Sequence, residues 1–191
     1  GLPLEEAKKR FEAEIGPVTS KEIFELEQSL LDDGVPAEEI KKFCNVHALL
    51  FNGSLEKTME DPADPSHPVA LFKAENAEIK RRVQSAQALL PSLKAGKGED
   101  WVRNIIEELR AVTRHYERKE HLLFPFLEKA GFTGPSKVMW GKHNEVRDLF
   151  KKALAAGPAE FPGAAAALLE EVDGMIFKEE NILFPASLEK L

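Results

Sequence analysis

The chain alternates long stretches of helical patterning with short turns that contain glycine or proline. Four such stretches occupy about residues 68–95, 99–129, 135–156 and 162–190. Strand-type alternation is nearly absent from the sequence. Long helices joined by short connections pack as antiparallel neighbours. The pattern therefore predicts an all-α protein whose main unit, at residues 67–191, is an up-down-up-down four-helix bundle.

The first 60 residues predict a smaller helical unit in front of the bundle. Thr19 and Glu22 form a capping-box signature for a helix that ends before Gly34, and Pro36 is placed to start the next helix. Three short helices bury little area by themselves, so we expect this accessory domain, at 1–60, to dock on the bundle. The segment DPADPSHP, which holds three prolines, predicts a linker at 61–67.

The second and fourth long helices contain a local repeat. KEHLLFP at 119–125 aligns with EENILFP at 179–185 at an offset of 60 residues, with four identical positions. Pro125 and Pro185 should kink or end their helices, because proline has no backbone N–H to donate. The repeat predicts that the two helices are copies and that the bundle has approximate twofold symmetry.

Composition narrows the classes of function. The net charge of −7 argues against nucleic acid or an anionic membrane as the main partner, since both attract basic patches. The single cysteine excludes an intramolecular disulfide, and no apolar run approaches the roughly 20 residues that span a bilayer. We expect a cytoplasmic protein. No nucleophile–base pair or phosphate loop is evident, which favours a binding or sensor protein over an enzyme.

Histidines supply the candidate chemistry. Three of the five histidines fall one each in the first three bundle helices. They are His67, His115 and His143. One turn after His115 stands Lys119, and the equivalent pair in the fourth helix is Met175 and Glu179. Residues four apart share a helix face, so each pair offers one good ligand for iron, zinc or manganese and one poor one.

These segments carry a resemblance to a known family. HPVALFKAEN at 67–76, HYERKEHLLFP at 115–125, the histidine of MWGKHNEVR at 139–147 and MIFKEENILFP at 175–185 resemble the hemerythrin-like HHE cation-binding family. The resemblance implies a four-helix bundle with a non-haem di-iron centre. It implies metal-ligand roles for four residues, His67, His115, His143 and Glu179. The preceding helices, with FCNVHALLF at 43–51, resemble an accessory domain of unknown function found before such bundles in bacterial and archaeal proteins.

Two departures from the family pattern change the expected cofactor. Lys119 stands where the second-helix glutamate is expected, and Met175 stands where the fourth-helix histidine is expected. The remaining ligands suit one iron or zinc ion better than two irons. Lys119 beside Glu179 would replace the second metal electrostatically, unless its side chain snorkels to solvent. Glu120 is a weaker ligand candidate, because it is turned about 140° from His115 unless the helix is distorted before Pro125.

Other interpretations stay open at this point. Met175 and the histidines would suit a b-type haem, with Cys44 and His47 at the border of its pocket. The simpler interpretation of these residues is core packing. A third interpretation is an interaction module that has lost its cofactor. The expected partners of the chain are a small gaseous ligand and either a regulatory protein domain or a second copy of the chain.

Overall fold

The computed structural model describes residues 19–36 and 64–191, together with the isolated positions 6, 9–10, 13–14, 39–40 and 62. Helix α1 (Ser20–Asp32) begins with the predicted capping box, in which Thr19 accepts from the Glu22 backbone N–H and the Glu22 carboxylate accepts from that of Thr19. No strand occurs in residues 19–36 and 64–191, so the prediction of an all-α protein is confirmed.

Four helical arms form the bundle. The first is α2 (Pro68–Lys94), and the second runs through α3 (Glu99–Leu109), α4 (Val112–Arg118), a π-turn (Lys119–Leu123) and α5 (Phe124–Lys129). The third is α6 (Gly134–Ala155), and the fourth runs through α7 (Phe161–Lys178), a second π-turn (Glu179–Leu183) and α8 (Phe184–Lys190). Helices α2 and α6 each pack against α3 and α7, which closes the four arms into a bundle.

The two copies of the sequence repeat form the two π-turns. The Phe124 N–H donates to the Lys119 carbonyl, and the Phe184 N–H donates to the Glu179 carbonyl, so both bonds span five residues. Proline follows each phenylalanine and has no N–H for the usual four-residue bond, so the chain takes a wider turn before the next α-helix begins. The predicted interruption at both prolines is confirmed.

One further interruption was not expected from the sequence. The second arm, predicted as continuous over 99–129, turns at residues 110–111, where Thr113 and Arg114 bond to carbonyls three residues back. Neither position is glycine or proline. The tighter bonds separate α3 from α4, which carries His115.

Apolar side chains fill most of the bundle interior, but one zone is polar. Val83, Ile106 and Val172 are fully buried and belong to a single continuous core. Beside them lie several charged or polar side chains that are also buried. These are Asn76, His115, Lys119, Glu120, His143 and Glu179. Buried charges are costly unless they are paired, so this zone is where functional chemistry is expected. No helix of the described ranges has the length and apolar character needed to cross a membrane.

Helix α1 docks on the bundle at the start of α6. It packs against α6, the second π-turn and α8. The Gln28 side-chain oxygen accepts from the backbone N–H groups of Thr133 and Gly134, at 3.2 and 3.0 Å. A Cβ atom added at Gly134 would lie 2.8 Å from Leu31 Cδ1, so glycine permits this close approach. The expected docking of the accessory helices is therefore observed for α1.

Candidate metal centre

His115 lies between two carboxylates that come from different arms. Its Nδ1 is 2.7 Å from Glu75 Oε2 of α2, and its Nε2 is 2.8 Å from Glu179 Oε2 at the start of the second π-turn. The imidazole is almost completely buried. A carboxylate only accepts hydrogen bonds, so both contacts are satisfied together when both ring nitrogens carry a proton. His115 thus joins Glu75 of α2 to Glu179 of the fourth arm.

Lys119 forms a buried ion pair with Glu179. The lysine Nζ contacts Glu179 Oε1, and the two side chains are 0% and 1% exposed. The ammonium also lies over the Tyr116 ring, 4.7 Å from its centroid. Lys119 therefore points inward beside Glu179, as the electrostatic interpretation predicted, and the alternative that it snorkels to solvent is wrong.

Burial and charge act in opposite directions on the Lys119–Glu179 pair. Burial lowers the pKa of Lys119 to about 8, although the Glu179 charge favours the ammonium form. Burial alone would raise the pKa of Glu179, but the charges of Lys119 and His115 lower it well below its usual range. At neutral pH the pair is therefore charged on both sides.

His143 is held in a similar way but keeps one free nitrogen. Its Nδ1 is 2.8 Å from Glu120 Oε1, and Arg147 donates to the other oxygen of Glu120 at 2.9 Å. The ring is stacked on Tyr116, with 4.1 Å between centroids and 7° between planes. His143 Nε2 is buried and has no hydrogen-bond partner among the residues that the structure describes.

The pKa values of His143 and Glu120 fix where the proton lies. Burial, together with the Lys119 charge, lowers the pKa of His143 to about 4, so the imidazole is neutral at pH 7. Burial opposes ionisation of Glu120, but the hydrogen bonds from His143 and Arg147 lower its pKa to about 2. The single imidazole proton therefore sits on Nδ1, facing the carboxylate, and Nε2 carries a lone pair.

The Glu120 contact also explains what the π-turn does. In a regular helix Glu120 would be turned away from the interior, as the sequence indicated. In the structure it is the second residue of the first π-turn and is 4% exposed. The distortion before Pro125 places its carboxylate on His143 Nδ1, where Glu120 orients a histidine, and its weaker candidacy as a metal ligand stays a prediction.

The two histidines share one pattern of support, which sequence reasoning missed. Each Nδ1 faces a glutamate whose other oxygen is held by an arginine. Arg118 Nη2 lies 2.5 Å from Glu75 Oε1, as Arg147 lies beside Glu120. Each arginine follows its histidine by three or four residues, a spacing that the sequence does show. The glutamate partners come from other helices, so only the fold could identify them.

Comparison with known families agrees with this geometry. The family described as the hemerythrin HHE cation-binding domain matches residues 67–187, more than half of the chain. The chain belongs to the hemerythrin HHE cation-binding family. A family of unknown function (DUF438) matches residues 1–57, where the accessory domain was predicted. No curated protein sequence matches the chain. Membership supports metal binding by this hemerythrin-like chain, and leaves the metal to be identified.

The other predicted site residues of the hemerythrin-like chain lie apart from these contacts. His67 caps the start of α2, where its Nδ1 accepts from the Val69 N–H at 3.1 Å, and its ligand role stays a prediction. Met175 is fully buried in the apolar core, one turn before Glu179. Cys44 and His47 lie outside the described residues. His121 is exposed and has an edge contact with Trp140.

The donor set of this hemerythrin-like centre does not fit two metal ions. Lys119 and Met175 replace two ligands, and the Lys119 ammonium already neutralises Glu179. Within residues 19–36 and 64–191, no three His, Cys, Asp or Glu side chains are close enough together to hold a metal as they stand. Two imidazoles and one carboxylate are nevertheless a known donor set for a single Fe(II). His115, His143 and Glu179 are the residues that would supply these donors.

Proposed function

We propose that the chain holds a single non-haem iron ion and serves as a binding or sensor protein for oxygen, nitric oxide or iron. His143 and His115 would hold the ion through Nε2, and Glu179 through a carboxylate oxygen. His67 is the candidate for a fourth ligand that the family resemblance supplies. Three protein donors leave open positions on iron, where a small ligand binds.

The observation that carries this proposal is His143 Nε2, which is buried and has no hydrogen-bond partner in the part of the chain that the structure describes. A buried ring nitrogen without a partner loses the hydrogen bonds that it would make in water, which is unfavourable unless the position serves a purpose. Metal-ligating histidines characteristically donate their other N–H to a carboxylate, which fixes the tautomer and the ring orientation. Glu120, held by Arg147, provides this carboxylate.

The Glu179 carboxylate is divided between two partners in a way that suits one metal. Its Oε2 faces His115 and its Oε1 contacts Lys119. Iron held by His115 Nε2 and Glu179 Oε2 would leave Oε1 in contact with Lys119. One metal ion is therefore compatible with the Lys119–Glu179 ion pair.

Titration of the metal-free protein with Fe(II) under anaerobic conditions tests the proposal. We expect one equivalent to bind to the unchanged chain, and His143→Ala to abolish stoichiometric binding. His121→Ala is the matched control, because His121 lies in the first π-turn and is exposed. Equal binding by unchanged protein and His143→Ala would contradict the assignment, and His67→Ala reports separately whether a fourth ligand is present.

An absorption spectrum before and after dithionite separates this proposal from the haem alternative. Ferric iron held by imidazole and carboxylate should give a near-ultraviolet band that bleaches on reduction, without a Soret band. A Soret band in the purified protein would identify the cofactor as haem and contradict the proposal of non-haem iron. Met175 is fully buried in the apolar core, so the spectrum, and not the position of Met175, decides between the two cofactors.

A further inference from the structure

The Lys119–Glu179 pair joins two equivalent positions of the internal repeat. The two residues are 60 positions apart, the same offset that relates KEHLLFP to EENILFP. Each is the first residue of its π-turn, and each accepts a hydrogen bond there from the phenylalanine five residues later. The twofold symmetry that the repeat predicts would therefore place its axis between their side chains.

Opposite charges at these equivalent positions make the centre asymmetric. A symmetric pair of glutamates would place two buried carboxylates against each other, which is unfavourable unless a cation or a shared proton lies between them. Here the lysine supplies one positive charge from the chain itself. The two arginines of the site, exposed Arg118 and partly buried Arg147, contact the outer oxygens of Glu75 and Glu120. Among the contacts of the described residues, neither arginine reaches Glu179.

Several contacts hold the ammonium in this position. Lys119 has no solvent exposure, and its Nζ has both the Glu179 carboxylate and the face of Tyr116 as partners. Tyr116 is itself fixed, because it is buried and stacks on His143. A buried cation over an aromatic face and against a carboxylate is stabilised by both. The buried position of the Lys119 ammonium is therefore set by its contacts with Glu179 and Tyr116.

We propose that the Lys119 ammonium takes the place of a second metal cation, so that the site stays assembled without metal and accepts one metal ion instead of two. The limit to one ion rests on the proposed function. The replacement of a cation by the ammonium does not, because it concerns the metal-free protein. The residue at position 119 would therefore decide whether the folded site needs bound metal for its stability, as well as how tightly it binds metal.

The decisive variant is Lys119→Glu, with Lys119→Met as the matched control. Both remove the ammonium, but only glutamate restores the symmetric carboxylate pair that needs a cation. In EDTA we expect Lys119→Glu to melt at least about 10 °C below the unchanged protein, because two buried carboxylates then face each other. Added Co(II), Zn(II) or anaerobic Fe(II) should recover most of that loss and bind at two equivalents. Lys119→Met should melt lower in EDTA, recover no more than the unchanged protein gains, and bind at most one equivalent.

The outcomes separate this proposal from the proposed function. If the unchanged chain binds no metal but Lys119→Glu recovers with metal, the cation replacement stands and the mononuclear function fails. If the unchanged chain binds one equivalent and Lys119→Glu responds to metal like Lys119→Met, the replacement alone is wrong. If Lys119→Glu is insoluble in EDTA, it is refolded with each metal, and failure to fold there also overturns the replacement.

Discussion

The Lys119–Glu179 ion pair allows a quantitative test of how the buried charges contribute to stability. Replacing Lys119 by Met removes the ammonium and leaves a carboxylate that is 1% exposed. Breaking a buried pair from one side costs about 3–5 kcal/mol, because a charge is left without its partner. His115 still contacts Glu179 Oε2 at 2.8 Å, so we expect the lower end, about 3 kcal/mol. For a chain of this size that corresponds to roughly 6–12 °C in melting temperature.

Removing the charge of Glu179 should destabilise the protein about as much as removing the charge of Lys119. Removing both charges should cost less than the sum of the two single losses. Glu179→Gln leaves the Lys119 ammonium buried without its carboxylate, which we also expect to cost about 3 kcal/mol. Lys119→Met combined with Glu179→Gln removes both charges, so its loss should be smaller than the sum by at least about 2 kcal/mol. The double-mutant cycle therefore measures the coupling between the two side chains.

Urea unfolding of the metal-free protein at pH 7 in EDTA is the assay, since Lys119, with its pKa of about 8, is mostly charged there. Lys151→Met is a control, because Lys151 pairs with Asp148 on the surface, where both side chains are about three-quarters exposed. We expect little change from that variant. Losses that add within about 0.5 kcal/mol in the cycle would refute the reasoning, because they would show that the two charges do not stabilise each other.

Three further results are expected. The pKa of His143 is lowered to about 4 in the folded protein, so the unfolded chain binds more protons between pH 6.5 and 4. The free energy of unfolding without metal should therefore decrease as the pH is lowered from 6.5 to 4, by up to about 1.4 kcal/mol per pH unit. His143→Gln should make this dependence on pH weaker. Tyr116→Phe should leave urea stability unchanged or higher, since the buried hydroxyl has no partner among the described residues, and a clear loss would contradict this. Gln28→Ala should lower the melting temperature by roughly 2–6 °C, because two N–H groups at the start of α6 lose their acceptor.

The sequence was a good guide to the elements of the fold. Turns with glycine and proline separate the four arms within a few residues of the predicted bounds, and Pro125 and Pro185 interrupt the second and fourth arms as expected. These features depend on local chemistry, so a single sequence shows them. The turn at residues 110–111 has no such local marker, and it was not predicted.

The site was predicted less completely, because its contacts join different helices. His115, His143 and Glu179 were identified by motif, and the inward position of Lys119 was one of two interpretations. Glu75 was missed, because its role depends on how α2 is aligned with α4, and no local pattern encodes that alignment. Regular helix geometry turns Glu120 away from His115, and the sequence analysis allowed a distortion before Pro125 as the way to bring it closer. The π-turn is that distortion, but the contact of Glu120 with His143 joins two helices and has no local signal.

The contact between α1 and α6 affects where the chain can be truncated without loss of stability. The two family matches, at 1–57 and 67–187, suggest separate units. Yet Gln28 completes the first turn of α6, and Leu31 fills the space above Gly134. The arm that carries His143 thus depends on a helix from the other side of the family boundary. We expect residues 67–191 alone to melt below the full chain, because they lack the contacts that α1 makes with the start of α6.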